Sequence, residues 1–333
     1  MKYQLIQTQT KTVLVQDDVQ RVTDHAATIR QILASIDTQD IVAVGHRVVH
    51  GGEKFTHSVM VDDEVLAEMA RIEHLAPLHN PAAMLGVKAC RTLMPEVPNI
   101  LVFDTAFHST MAPAAYLYGL PYQDYQQYAI RKYGFHGTSH QYVANQAAAL
   151  LGKPLRDLKL ITCHIGNGAS ICAIQNGQCI DTSMGMTPLA GLVMGTRAGD
   201  LDPSVLPILC AKHGFTLDEA VNYLNKECGL KGLTGVSSDM RDLEPLMQTD
   251  ERVKIGTDVF LHRIVQYIGG YVAQMHGCDA IVWTGGIGVH RKWVSERVMA
   301  HFDFLPNCQK LVIPTNEELA IALECEKFFT KEH

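Results

Sequence analysis

Apolar positions recur along the chain with two periods. The opening stretch MKYQLIQTQTKTVLVQ predicts a strand from Lys2 to Ile6, a polar turn, and a second strand from Thr12 to Val15. DHAATIRQILASI (24–36) has helical spacing and starts at Asp24, whose short carboxylate can cap free backbone N–H groups. DIVAVGHRVVH (40–50) and NILVFDTAFH (99–108) are apolar, β-branched runs that predict buried strands entering polar loops. NPAAMLGVKACRTL predicts a helix with Asn80 as N-cap and Pro81 at its first position. TSHQYVANQAAALLG predicts a helix opened by a Thr138/Gln141 capping box and stopped by Gly152. TLDEAVNYLNKECG repeats the device with Thr216 and Glu219, and TNEELAIALECEKFF with Thr315 and Glu318. Residues 250–276 read as one long helix, and DAIVWTGGIG (279–288) as a strand entering a glycine loop. This alternation of strands and helices predicts an α/β fold.

LKLITCHIGNGASICAIQNGQCIDTSMG (158–185) is the most informative stretch. It predicts strands at 159–163, 170–174 and 178–182, joined by the small-residue turn GNGAS and the Asn176-Gly177 hairpin turn. A turn of that kind can bring its backbone N–H groups close to a phosphate. ASICAIQNGQCIDTSM sits well beside the opening MKYQLIQTQTKTVLVQ: strand, polar turn with glutamine, strand. The pairing suggests an internal duplication, although two hairpins can look alike without one.

Composition narrows the function. A chain of 333 residues has room for two domains, and 47% hydrophobic content suits a packed globule. A net charge of −7 argues against a nucleic-acid partner. No apolar run reaches membrane-spanning length, so no membrane partner is expected. The nine cysteines form no CxxC pair and lie mostly in apolar contexts, which predicts reduced thiols in a cytoplasmic protein.

Polar residues concentrate in strand-end loops: GHRVVHGGEKF (45–55), HLAPLHNPAA (74–83), FDTAFHST (103–110), RKYGFHGTSH (131–140), CHIGNGAS (163–170) and MGTRAGDLDP (194–203). Active sites of α/β folds gather at such loops. His46 and His50 have the spacing of a zinc pair, but HRVVH is strand-like and lacks the glutamate of HExxH, so zinc is set aside. No G-x-S-x-G elbow is present. His46, His50, His74, His108 and His140 read as loop histidines satisfied by local hydrogen bonds. His79, His136 and His164 sit beside Pro or Gly with other polar candidates and stay open. Arg47 and Arg197 follow small-residue turns and could each clamp an oxyanion. These arginines, the glycine turns at 166–168 and 285–288, and the carboxylates Asp104 and Glu317 are an inventory suited to phosphoryl transfer. Neither a Walker A motif nor a protein-kinase catalytic loop occurs.

VGHRVVHGGEKF, APLHNPA, VFDTAFH, YGFHGTSH, CHIGNGAS, DTSMGMTPLAGLVMGTRAGDLDP, SSDMRDLE, TGGIG and VIPTNEELAIA together resemble the acetokinase (acetate kinase) family, from about residue 40 to the end. The resemblance implies a duplicated actin/Hsp70/sugar-kinase fold of ribonuclease H-like domains. It places an acyl-substrate domain at 1–106 plus 319–333 and a nucleotide-binding domain at 107–318. It implies reversible phosphoryl transfer from ATP to acetate, giving acetyl phosphate and ADP, with Mg²⁺ or Mn²⁺, in a homodimer serving acetyl-CoA biosynthesis. By resemblance, Arg47 and Arg197 hold the carboxylate and the phosphoryl in flight. Asp104 is the essential aspartate, His136 the transition-state histidine and Glu317 the metal-linked glutamate. Val49, Leu78, Phe135 and Pro188 match the methyl pocket. His164, Asn167 and Gly168 match the phosphate loop, while Asp239, Met240 and Arg241, with Gly286, Ile287 and Gly288, match the adenosine segments.

Three departures from the family pattern accompany the resemblance. The family's opening strand and Asn-x-Gly-Ser-Ser-Ser turn would precede Lys2, so the first repeat is expected to lack its opening strand and this chain to turn over more slowly. The stretch between the opening hairpin and DHAATIRQIL is short, as is the segment before VIPTNEELAIA. Val289-His290 stands where the family has Glu-Asn. The competing expectations are a shortened relative that binds nucleotide without catalysis, and a kinase of propionate or another short-chain acid.

Overall fold

Glycine-free alternation in the first sixteen residues produces the antiparallel hairpin it predicts. Strands β1 (Lys2–Gln7) and β2 (Thr12–Asp18) pair from Lys2↔Asp18 to Gln7↔Thr12, with a bulge after Leu5. The computed structural model describes residues 1–330 apart from 20, 21, 23 and 78. These form two compact units: Met1–Ser109 with Gly137–Tyr142 and Asn316–His333, and Thr110–His136 with Val143–Thr315.

In the first unit, β3 (Val44–Val48), β4 (Val59–Met60) and β5 (Asn99–Phe103) make a sheet of order β3-β5-β4. β3 runs parallel to β5, and every residue of β5 is buried, as its unbroken apolar run requires. Val48, Phe55, Met69, Val87, Leu101 and Phe103 form its core, with the rings of Phe55 and Phe103 stacked at 4.8 Å. The Glu317–Glu326 helix packs on β3 at Gly45, where a Cβ would lie 2.5 Å from Ile321 Cγ2 and 2.7 Å from Cys325 Sγ. Only glycine lets that helix approach, and its first turn carries a candidate carboxylate.

The second unit has a five-stranded sheet of order β10-β9-β6-β7-β8. β6 (Lys159–Ile165), β7 (Ala169–Gln175) and β8 (Gln178–Thr182) are the expected antiparallel meander. Asn176 and Gly177 both take positive φ, 55° and 77°, which is the I′ turn their identity favours. β9 (Ala280–Thr284) and β10 (Gln309–Val312) extend the sheet in parallel from β6. The Glu251–Met275 helix packs its Val253, Phe260, Ile264 and Ile268 face inward, against β6 and β7. Each unit thus combines an antiparallel hairpin with a parallel strand pair in an α/β architecture.

Helix starts agree in part with the sequence. Asp24 accepts from Ala27 N, and Thr216 with Glu219 forms a complete capping box. Three starts differ. Thr138 is not the cap but already the second helical residue: the helix is Gly137–Leu151, with His136 at its N-cap. Asn80 is already the first helical residue, because its amide is engaged with the backbone of His50. The last helix is capped by Asn316, which accepts from Leu319 N, and not by Thr315. The expected glycine loop at 285–288 is also helical, forming the Gly285–His290 helix once Gly285 turns the chain at φ 76°.

Candidate functional site

In the first unit the candidates Arg47 and Asp104 sit at the carboxyl ends of two parallel strands, where active sites of α/β sheets gather. Arg47 is the penultimate residue of β3. Asp104 directly follows β5 and extends the ladder by donating its N–H to Val48 O at 2.9 Å. That register points the two side chains at each other. The Arg47 guanidinium donates Nε to Asp104 Oδ1 at 3.0 Å and Nη2 to Oδ2 at 2.6 Å. Asp104 is 2% exposed, so its charge is held by this two-pronged pair, which raises the Arg47 pKa. Glu317 Oε2 lies 3.8 Å from Arg47 Nε. Burial nevertheless outweighs the arginine and leaves the Glu317 carboxyl with a raised pKa.

Two carboxylates beside one shared arginine, one of them held at a cost, suit a hard divalent cation with oxygen ligands. Asp104 and Glu317 fit such an ion. The apo protein bears the cost of the buried Glu317 charge only where that charge exists. Below its unfolded pKa of about 4.3 the group is neutral in both states; stability is lost as pH rises through the higher folded value. Glu317→Gln is therefore expected to raise Tm at pH 7–8 in metal-free buffer, with the gain vanishing near pH 4. Thermal melts across that range check it, and a lowered Tm at pH 8 would contradict it.

The loop after β3 is held by Asn80, by His50 itself and by Thr105, of which Thr105 carried no signal in the sequence. Asn80 Oδ1 accepts from His50 N at 3.3 Å and Nδ2 donates to His50 O at 2.9 Å. Thr105 Oγ1 accepts from Gly51 N at 3.0 Å, and His50 Nδ1 from Gly52 N at 3.0 Å. Val49 is half-buried within this loop. Leu78 lies outside the described residues. His74 contacts Arg71 O at 3.0 Å, the local bond expected of it, whereas His46 lies within β3 and not in a loop, and contacts the distant Asn99 Oδ1 at 2.7 Å. His79 is exposed at its helix N-cap. Lys2 pairs with Glu318, next to Glu317.

In the second unit the three-residue turn between β6 and β7 gathers the other candidates. His164 stands opposite Ser170 across the hairpin. Its ring stacks on His136 at 4.2 Å, and His136 Nδ1 meets Ser170 Oγ at 2.9 Å. His136 adopts φ 58°, uncommon for a residue with a Cβ, and strain of this kind collects at functional sites. Gly168 leaves the room: a Cβ there would lie 3.3 Å from Arg197 Nη1 and 3.7 Å from His136 Nε2. Arg197 Nη1 donates to Pro188 O at 3.3 Å. Among the described residues no carboxylate pairs with Arg197, and burial lowers its pKa. A half-buried guanidinium lacking a counter-ion is poised for an anion. Asn167 O accepts from Gly195 N at 3.0 Å, which ties the turn to the Arg197 loop.

The glycine helix joins this group, since the Cβ position of Gly166 is 3.9 Å from Gly286 N. Gly286 is exposed and Gly288 buried, with Ile287 half-buried between them. Asp239 caps the Met240–Leu243 helix and accepts from Arg241, whose hydrogen bonds pull its pKa down to about 2. Met240 and Phe135 are buried at 2% exposure, and Pro188 is half-buried. Ser170, which the sequence did not single out, meets His136 from 34 positions away, a contact that no local pattern shows.

The comparisons with known proteins agree with one another. The model of the "Acetokinase family" matches residues 2–307. An acetate kinase of Bacillus cytotoxicus is 48% identical over 337 residues, covering 92% of this chain and 85% of its own. The crystal structure of Porphyromonas gingivalis acetate kinase superposes with a TM-score of 0.94 at 36% identity, over 99% of this chain and 96% of that one. A propionate kinase from Francisella tularensis gives 0.90 at 36% identity, over 97% and 95%. With clusters of arginine, histidine and carboxylate at the expected strand ends and a match along nearly its whole length, the chain belongs to the acetokinase family.

Proposed function

We propose that the chain catalyses reversible transfer of the γ-phosphoryl group of ATP to acetate, giving acetyl phosphate and ADP. The observation that carries this reading is the 48% identity to an acetate kinase over 92% of the chain. An acetate oxygen attacks the γ-phosphorus in line as its bond to the β,γ-bridging oxygen breaks, and ADP leaves with that oxygen. Arg47 and Arg197 neutralise the acetate carboxylate and the phosphoryl in flight. Asp104 keeps the Arg47 fork oriented, and His136, fixed by Ser170, donates to a phosphoryl oxygen. His164, Asn167 and Gly168 receive the nucleotide phosphates. Asp239, Met240, Arg241, Gly286, Ile287 and Gly288 hold the adenosine. Asp104 and Glu317 would hold Mg²⁺ or Mn²⁺, which when bound lowers the charge repulsion among the phosphates. The protein works in the cytoplasm as a homodimer, as its family resemblance implies. No described helix is long and apolar enough to cross a membrane.

Val49, Phe135 and Pro188 are assigned to the acetate methyl. Such apolar contacts discriminate one methylene by about 10- to 200-fold. Propionate is therefore expected to show a kcat/KM lower than acetate by about tenfold or more. Trapping the acyl phosphate as its hydroxamate with acetate, propionate and butyrate tests both statements. Equal or faster turnover of propionate would make the chain a propionate kinase, the reading favoured by the Francisella structure. Nucleotide binding without hydroxamate from any acid would mark a non-catalytic relative.

A further inference from the structure

The two segments assigned to adenosine, 239–241 and 286–288, come from different helices of the second unit. Three positions after each segment stands a charged residue, Glu244 and Arg291, and the two charges meet. Arg291 Nε lies 3.0 Å from Glu244 Oε2, with side chains 26% and 36% exposed. Glu244 follows the Met240–Leu243 helix directly. Arg291 ends the Gly285–His290 helix, donating its N–H to Ile287 O at 2.9 Å, and starts the Lys292–Met299 helix. The Arg291 charge also reaches the Asp239 carboxylate. Arg241 cannot make this link, because its guanidinium is turned back onto Asp239 at 2.5 Å.

We propose that Glu244 and Arg291 are positioning residues for the nucleotide: their ion pair holds the Asp239–Arg241 segment in register with the Gly286–Gly288 segment. The inference rests on the acetate kinase reading and its assignment of these segments to adenosine. The pair sits outside the candidate clusters that hold the reacting groups, so it acts on nucleotide affinity and not on the chemical step. It is half-exposed, and a pair of that kind shifts an equilibrium by about two- to fivefold.

The test is steady-state kinetics of the full chain with Arg291→Ala, Glu244→Gln, the double variant and Arg291→Lys. KM for ATP should rise about threefold in each of the first two and no further in the double variant, because both remove one shared interaction. The kcat and the KM for acetate should stay at wild-type values. Arg291→Lys should recover most of the loss, and the differences should fade at about 1 M salt. Additive effects in the double variant would overturn the proposal, since Arg291 would then meet the nucleotide on its own. So would an unchanged KM for ATP in an active wild-type background. An inactive wild-type chain would instead overturn the acetate kinase reading, and the same cycle would then be read as ADP affinity by calorimetry.

Discussion

Arg197→Ala is expected to lower kcat for acetyl phosphate formation by about 10²- to 10³-fold, the scale seen when one pre-set charge donor is removed from a transition state. The guanidinium has a carbonyl and a thioether as its protein partners, Pro188 O at 3.3 Å and Met194 Sδ at 3.6 Å. Neither compensates a half-buried positive charge, and partial burial lowers its pKa. The arginine is thus held beside Gly168 and His136 in a state that an incoming anion relieves. Because the phosphoryl group spreads its charge most widely in flight, the loss should fall on kcat more than on KM for ATP. Arg197→Lys keeps the charge but not the planar fork and should recover only part of the rate. Steady-state rates at saturating acetate and ATP decide the matter. An alanine variant within tenfold of wild type would remove Arg197 from the reaction.

Asp104→Asn should be nearly as damaging, with a loss of about 10² or more in kcat, and it should also cost stability. The carboxylate is 2% exposed and gives both oxygens to Arg47. An amide has nearly the same shape, but it turns an N–H₂ toward a donor and leaves a buried group unsatisfied. That costs about 1–3 kcal/mol, or a fall in Tm of several degrees for a chain of this size. Arg47 is 44% exposed on its side chain, so solvent can take up its freed charge and the fold should survive. The rate should fall because the arginine loses its orientation and a candidate metal ligand loses its charge. Thermal melts and rates on one preparation separate the two effects. A variant with normal Tm and more than a tenth of wild-type activity would show that the pair is neither structural nor functional.

Legibility in the sequence followed the range of the interactions concerned. The 158–185 meander was readable because strand, turn and strand are contiguous, and Asn176-Gly177 admits few conformations. Asp24 and Thr216 were readable as caps because a cap bonds a group two or three residues away. Thr138 and Thr315 were misread because a nearby residue takes the cap position: His136 precedes the Gly137–Leu151 helix, and Asn316, itself a good local cap, accepts from Leu319 N. The glycine run at 285–288 suggested a loop, since glycine is a poor helix former. It became a helix because β9 delivers the chain onto β6, at a point where Gly285 alone can take the turn.

By itself the sequence determined the α/β alternation, the buried central strands, the meander with its small-residue turn, and a set of arginine, histidine and carboxylate candidates in strand-end loops. Each of these follows from residue type and local spacing. Only the tertiary structure decided which candidates meet. Arg47 and Asp104 are 57 positions apart, and Glu317 is farther still. They converge because β3 pairs with β5 in one register, and because Gly45 lets the last helix lie against β3. His136 finds Ser170, and Gly168 makes room for Arg197, by the same long-range means. Side-chain encounters across sheets and loops depend on register and close packing, and no local pattern encodes either one.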